Sequence, residues 1–156
     1  MEEDVLLLET VGEKLNINYI DEGEGTPVVL LHGWGARAET YRFIIDSLRP
    51  HFRVIAPDMP GFGSSDEPKR AFETEDYAQF VCDFLDSLGI KRAHFIGHSH
   101  GGRTIIKLFS KERGIEADKI VLIDSAGLIR KKSAKQKLKI ARFKLAKKLF
   151  LFPFVC

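Results

Sequence analysis

The chain has 156 residues, of which 44% are hydrophobic and 29% charged, and its formal net charge is +2. These values exclude an intrinsically disordered chain and indicate one globular domain. No apolar run approaches the roughly 18 residues of a membrane-spanning helix, and the acidic N-terminus has the wrong sign for a secretory signal. Two distant cysteines fit neither a disulfide framework nor a metal site, so we expect a cytoplasmic protein.

Charge is unevenly distributed along the chain. Residues 1–129 carry 14 Lys and Arg and all 22 Asp and Glu, whereas residues 130–156 carry the other 10 basic residues and no acidic one. Apolar residues at spacings of three and four predict a long basic helix over about Arg130–Phe150. We expect a solvated helix there, although a helix that binds a membrane surface or an anionic partner has a similar composition.

Apolar, β-branched runs alternate with amphipathic segments over the first 125 residues. Strands are predicted at Val5–Leu8, Leu15–Ile20, Val28–Leu31, Phe52–Ala56, Ala93–Ile96 and Lys119–Ile123. Helices are predicted over about Ala38–Leu48, from the N-cap Thr74 to before Gly89, and over about Gly101–Lys111. Because strands alternate with helices, the predicted fold class is α/β, with a mainly parallel sheet flanked by helices on both faces.

The strongest chemical signal is Gly97-His98-Ser99-His100-Gly101-Gly102, between a predicted strand and a predicted helix. Gly-x-Ser-x-Gly at such a junction is typical of a nucleophile elbow, a sharp turn that exposes a serine hydroxyl on strained backbone. The glycines lack Cβ atoms, so neighbouring chain segments can approach closely. The N-terminus of the following helix directs free N–H groups at charge that develops beside Ser99.

A second glycine-rich segment, His32-Gly33-Trp34-Gly35, follows the strand Val28–Leu31. Acyl transfer needs two backbone N–H donors directed at one oxyanion. The N–H groups of His100 and Trp34 supply them if this loop packs beside the elbow. Taken alone, the segment is also explained as a turn with a buried histidine and a packed tryptophan.

Together with Asp58-Met59-Pro60-Gly61-Phe62-Gly63-Ser64-Ser65-Asp66 between them, these two segments resemble the α/β-hydrolase superfamily, in particular its bacterial, cap-bearing, esterase-like members. The resemblance covers residues 1 to about 150. It implies a serine hydrolase that acts on an ester or related acyl substrate, with Ser99 as nucleophile and the N–H groups of His100 and Trp34 as oxyanion hole. The expected substrate-binding residues are His32, Gly33, Trp34, Gly35 and Phe62.

The same resemblance carries two further implications. Residues 58–66 are expected to shape the fold more than the chemistry. A serine at position 99 disfavours the dehalogenase and epoxide hydrolase branches, which use an aspartate at the elbow.

The family pattern also includes parts without a counterpart here. Family members place the triad histidine and its acid late in the chain, so we expect a fold truncated after about the sixth strand. Residues 1–129 would form the core and residues 130–156 the start of a cap. None of the five histidines is expected to act as the base, so the chain is expected to be inactive or incomplete. Asp124, which ends the sixth strand, is either the triad acid or a turn residue.

Other functions are weaker alternatives. A non-catalytic module could keep the pocket and bind a small ligand, and membrane-surface association through the basic segment is possible but not expected. We expect no cofactor, metal or nucleic acid, because dinucleotide and phosphate-loop motifs are absent and no cysteine or carboxylate cluster accompanies His94, His98 and His100. The open edge at Lys119–Ile123 predicts possible pairing with a second chain.

Overall fold

A computed structural model of the protein describes residues 4–127. The basic segment predicted over Arg130–Phe150, and with it the proposed boundary between core and cap, lies outside the described residues. The strands are β1 Asp4–Thr10, β2 Glu13–Glu22, β3 Pro27–Leu31, β4 Arg53–Pro57, β5 Arg92–His98 and β6 Glu116–Ile123. The α-helices are α1 Arg42–Leu48, α2 Thr74–Ser87 and α3 His100–Leu108. No helix of this part of the chain combines the length and apolar character that a bilayer crossing requires.

The six strands form one sheet in the order β1-β2-β4-β3-β5-β6. The hairpin β1–β2 is antiparallel and β2 joins β4 antiparallel, whereas β4, β3, β5 and β6 pair in parallel. The predicted α/β fold with a mainly parallel sheet is therefore confirmed. Parallel pairing aligns the carboxyl ends of β3 and β5, where Leu31 lies opposite Gly97. This register brings the loop after β3 next to the turn after β5.

Several predicted bounds shift by a few residues, for example β6, which begins at Glu116, and α3, which ends at Leu108, and two helix starts differ in kind. The first predicted helix begins as a 3₁₀ turn over Ala38–Tyr41 before α1. Thr74 is the first residue of α2 rather than its N-cap, which is Glu73. The N–H of Glu73 donates to the carboxylate of Asp76 at 2.8 Å. An ionised carboxylate is a stronger acceptor than a hydroxyl, so this bond can define the start of the helix without Thr74.

Two apolar cores cover the two faces of the sheet. Helix α2 buries the predicted apolar face, with Tyr77, Phe80 and Phe84 in the larger cluster. Ile45 of α1 belongs to a smaller cluster with Val54 of β4. Helices on both sides leave the central strands inaccessible to water, which explains their continuous apolar runs.

Asp58 links three parts of the fold just beyond β4. Its side chain is nearly fully buried. The carboxylate accepts hydrogen bonds from the N–H groups of Ala38 at 2.6 Å and Ser64 at 2.8 Å, and from Nδ2 of Asn18 at 3.2 Å. These contacts support the expectation that residues 58–66 shape the fold, since one side chain ties β2, the 3₁₀ turn and the loop after β4 together.

Replacement of Asp58 by alanine should lower the free energy of unfolding by about 3 kcal/mol, because buried donors lose their charged acceptor. Asp58→Asn should lower the free energy of unfolding by a smaller amount, since its side-chain carbonyl can still accept a hydrogen bond. Urea denaturation of the 156-residue chain measures both. Asp66→Ala is the matched control, because Asp66 also accepts bonds from β2 but at an exposed site. Equal losses for Asp58→Ala and Asp66→Ala would contradict the prediction.

Candidate active site

Ser99 occupies a strained turn between β5 and α3. Its backbone has φ 50° and ψ −107°, a region that side chains other than glycine rarely adopt. Three hydrogen bonds hold it there: its N–H donates to the carbonyl of Ile123 at 3.0 Å, and its carbonyl accepts from the N–H groups of Arg103 at 3.1 Å and Ala126 at 3.0 Å. The predicted strain is present, and β6 and the turn after it maintain it.

Glycines flank this turn because no side chain fits there. A Cβ on Gly97 would lie 2.5 Å from Cδ1 of Ile105 and 2.7 Å from the Cα of Gly102. A Cβ on Gly101 would overlap the carbonyl oxygen of Leu31. The close approach of α3 to β5 and β3 therefore requires the glycines of the predicted elbow.

The loop after β3 packs directly against the elbow. A Cβ built on Gly33 would lie 2.9 Å from Nδ1 of His98 and 3.5 Å from Cβ of Ser99. The N–H groups of Trp34 and His100 have no hydrogen-bond acceptor among residues 4–127. The loop therefore lies beside Ser99, as the sequence analysis required for an oxyanion hole, and the role of the two N–H groups stays a prediction. Gly35 continues this loop with φ +73°.

His32 lies beneath the loop instead of on its surface. Its side chain is fully buried, and Nε2 accepts a hydrogen bond from the N–H of Met59 at 2.8 Å. The ring proton must then be on Nδ1, which donates to the carbonyl of Gly33 at 2.8 Å. Burial lowers the pKa of His32, which agrees with the unprotonated Nε2 that the hydrogen bond from Met59 requires. With both nitrogens engaged, any influence of His32 on substrate is through the position of the loop.

Aromatic rings surround the side chain of His100. Its ring centroid lies 5.2 Å from that of Trp34 and 4.8 Å from that of Tyr77, both edge to face. Phe62 packs on the other side of Trp34 at 4.9 Å. Burial, with the nearby charge of Arg103, lowers the pKa of His100. The sequence analysis assigned Tyr77 only to the core face of α2, and its place beside the site results from the packing of α2 against α3.

A cleft of about 990 Å³ opens next to Ser99, between the start of α2 and one face of α3. Among the predicted site residues, Trp34 and His100 line this cleft, whereas Ser99, His32, Gly33, Gly35 and Phe62 do not. The other principal lining side chains were not predicted; they are Phe72, Glu75, Arg103, Ile106 and Lys107. Arg103 follows Ser99 by four residues, and Ile106 and Lys107 follow Arg103 by three and four. This helical spacing is the sequence signal that could have identified these three residues.

Asp124 lies at the carboxyl ends of the parallel strands, whereas His94 and His51 lie near their amino ends. Asp124 is exposed, has φ 44°, and directly follows Ile123, whose carbonyl binds the N–H of Ser99. His94 is near the start of β5, where its ring contacts Phe52, and His51 precedes β4. Across residues 4–127, no three His, Cys, Asp or Glu side chains cluster as metal ligands would.

Comparison with known proteins identifies similar chains of greater length. The family model for the alpha/beta hydrolase fold matches residues 26–149. Haloalkane dehalogenase 2 of Mycobacterium tuberculosis is 40% identical over 87 residues, which cover 55% of this chain and 30% of the relative. The soluble epoxide hydrolase of Corynebacterium sp. is 33% identical over 114 residues, covering 73% of this chain and 40% of the relative.

Solved structures agree with these sequence matches. The epoxide hydrolase CorEH superposes with a TM-score of 0.73 and 28% identity, over 90% of this chain and 50% of that one. A meta-cleavage product hydrolase from Pseudomonas fluorescens superposes with a TM-score of 0.70 and 32% identity, over 84% of this chain and 48% of that one. The chain thus matches half or less of the length of each of these proteins.

Proposed function

Because the chain belongs to the alpha/beta hydrolase fold family, we propose that it is a serine hydrolase that cleaves an ester or related acyl bond. The observation that carries this proposal is the strained backbone of Ser99 beside two available N–H donors. In this mechanism the Ser99 hydroxyl attacks the acyl carbon, and the N–H groups of His100 and Trp34 bind the oxyanion. The Ser99 proton passes to solvent, and collapse of the intermediate expels the alkoxide, which takes a proton from solvent to leave as the alcohol. Water then hydrolyses the acyl-serine to the acid and free Ser99.

The chemistry of a serine nucleophile favours an acyl substrate over the substrates for which two relatives are named. Haloalkanes and epoxides are attacked at a saturated carbon. Attack by Ser99 on such a carbon would form a serine ether, which water does not cleave under mild conditions. Attack on an acyl carbon forms an ester, which water does cleave, so only the acyl reaction regenerates Ser99.

For the 156-residue chain alone the proposal includes slow turnover, because none of its five histidines is hydrogen-bonded to the Ser99 hydroxyl within residues 4–127. His98 and His100 flank Ser99 in sequence, and in the described part of the chain neither ring is hydrogen-bonded to its hydroxyl. Both ring nitrogens of His32 are hydrogen-bonded to backbone. His94 lies five residues before Ser99 along β5, about 16 Å away at strand rise, and His51 lies at the same distant end of the sheet.

Asp124 is the proposed triad acid. It extends from the carboxyl end of β6, the strand whose Ile123 carbonyl holds the N–H of Ser99. A carboxylate at this place would orient the imidazole that takes the Ser99 proton. Among residues 4–127 it has no histidine hydrogen-bonded to it, in agreement with slow turnover.

Covalent labelling tests the nucleophile. The folded chain is incubated with a fluorophosphonate in the presence of imidazole as an external base, and the modified residue is mapped by mass spectrometry. We expect a single modification at Ser99 that Ser99→Ala abolishes. Ser110→Ala is the matched control, because Ser110 lines the neighbouring cleft, is exposed and has a hydroxyl hydrogen-bonded within its own turn. That variant should label like the unmodified chain.

A folded chain that stays unmodified at Ser99 after prolonged incubation with imidazole would overturn the proposal. It would favour the alternative of a non-catalytic module that binds a ligand in the cleft. Circular dichroism of each variant establishes that it is folded before labelling is compared.

A further inference from the structure

One face of α3 forms a wall of the cleft beside Ser99. His100, Arg103, Lys107 and Ser110 follow one another at spacings of three, four and three residues and all line the cleft. Arg103 lies one helical turn after Ser99, and its N–H donates to the Ser99 carbonyl at 3.1 Å. Side chains on this face therefore lie at increasing distance from the proposed nucleophile.

Positive charge predominates on this wall. Glu75, across the cleft on α2, is contacted by Lys107 at 2.7 Å, by Lys111 at 2.9 Å and by Arg113. These three cations hold the pKa of Glu75 at about 2, well below its ordinary value. The opposite side of the cleft carries Glu73 and Glu75, and Lys107 is paired with Glu75, so Arg103 is the cation of the lining without a carboxylate partner among residues 4–127.

Arg103 is the cation of the wall nearest to Ser99 in the chain. It is exposed, and no carboxylate among residues 4–127 lies within ion-pair distance of it. The Cγ of Arg103 is 3.8 Å from the place where a Cβ on Gly127 would be, so its stem lies against the turn after β6. The guanidinium is thus an unpaired cation, within the described part of the chain, at the edge of a cleft whose other walls include Trp34, Phe72 and Ile106.

We infer that the cleft binds acyl substrates that carry a carboxylate, and that Arg103 selects them by pairing with that carboxylate. The assignment of the substrate's other end, the acyl carbon at Ser99, rests on the proposed function. Arg103 is four residues after Ser99, so the two Cα atoms are about 6 Å apart along the helix axis. An extended arginine side chain adds a distance of about the same length between its Cα and its guanidinium. A half-ester of a dicarboxylic acid with about four methylene groups spans this distance, and its methylenes would contact the apolar walls.

Fluorescence of Trp34 reports occupancy of the cleft, because it is the only tryptophan in the sequence and lines the cleft wall. The titration uses Ser99→Ala, so that neither ligand is consumed, with monomethyl adipate and dimethyl adipate as the charged and neutral members of a pair. We expect the charged ester to half-saturate at a concentration about fivefold lower in 50 mM salt. Raising the salt to 0.5 M should reduce this preference, since the site is open to solvent.

Variants then assign the preference to Arg103. Arg103→Gln in the Ser99→Ala background should remove it, and Arg103→Lys should retain part of it because the charge remains. Lys14→Gln is the matched control, since it removes an exposed cation at the start of β2 and should leave the preference unchanged. Equal half-saturation by the two esters, or an intact preference in Arg103→Gln, would overturn the inference.

This titration and the labelling experiment fail independently. The titration needs no reactive serine, so a preference for the charged ester can be observed even in a chain that does not label. Labelling at Ser99 without such a preference would leave the nucleophile assigned and refute the substrate class alone.

Discussion

The 156-residue chain is expected to hydrolyse a p-nitrophenyl ester only about 10³–10⁴ times faster than the uncatalysed reaction. Serine hydrolases with a complete triad exceed this residual rate by a factor on the order of 10⁶, which is the cost of losing the triad. The physical reason is that the proposed mechanism keeps the nucleophile and both oxyanion donors, whereas none of the five histidines is hydrogen-bonded to the Ser99 hydroxyl within residues 4–127. Electrostatic stabilisation of the oxyanion remains, and general-base catalysis does not.

Imidazole in solution should partly replace the missing base. Ser99 is partly exposed, and we expect the enzyme-dependent rate to rise about tenfold, below the 10²–10⁴ of a positioned base. Free imidazole also hydrolyses such esters directly, so the rate with Ser99→Ala is subtracted at every concentration. Turnover with the full rate of a complete triad, insensitive to imidazole, would show that one of the five histidines is the base.

Gly101→Ala should lower the free energy of unfolding by about 3 kcal/mol. In the interior of an ordinary helix, replacement of glycine by alanine raises the free energy of unfolding by about 1 kcal/mol. The opposite effect is expected here because of the atoms that surround Gly101. The new Cβ would overlap the carbonyl oxygen of Leu31 and lie 2.5 Å from its carbonyl carbon and 2.7 Å from the carbonyl oxygen of His32. Backbone atoms of a central strand cannot move aside as a side-chain end can, so α3 must separate from β3.

Urea denaturation measures the effect, with Gly114→Ala as control. Gly114 has φ +74°, but no atom lies within 4 Å of the place that its Cβ would take, so the substitution adds backbone strain without overlap. We expect Gly114→Ala to lower the free energy of unfolding by about 1 kcal/mol. A loss at Gly101 no larger than the loss at Gly114 would contradict the close packing of α3 on β3. Labelling of Ser99 should also fall in Gly101→Ala, because the N–H of His100 moves with the helix.

Much of the fold was predictable because local signals and global topology agree. Apolar runs bounded by glycine and proline located all six strands, and the elbow motif placed Ser99 at a strand–helix junction, where the structure has it. The helix starts were less predictable. Whether Thr74 or Glu73 caps α2 depends on which acceptor reaches the free N–H groups, and here Asp76 binds the N–H of Glu73.

The candidate site was predictable only in part. The proximity of Gly33 to Ser99 follows from parallel pairing of β3 with β5, which the alternating pattern implied. The burial of His32 was not evident, because its two hydrogen bonds connect it to Gly33 and to Met59, 27 residues later in the chain. Tyr77 and Arg103 were missed because a cleft between two helices exists only after both pack on the sheet.

The sequence by itself determined the α/β class, the order of the elements and the position of the serine, because hydrophobic periodicity and a glycine-dependent turn are local properties of the chain. The tertiary structure alone decided which donors face Ser99, which histidines are engaged by backbone, and which charges meet at the cleft. Such properties depend on distances between residues far apart in sequence. Arg103 and Glu75 illustrate this, since the packing of α2 against α3 makes them walls of one cleft.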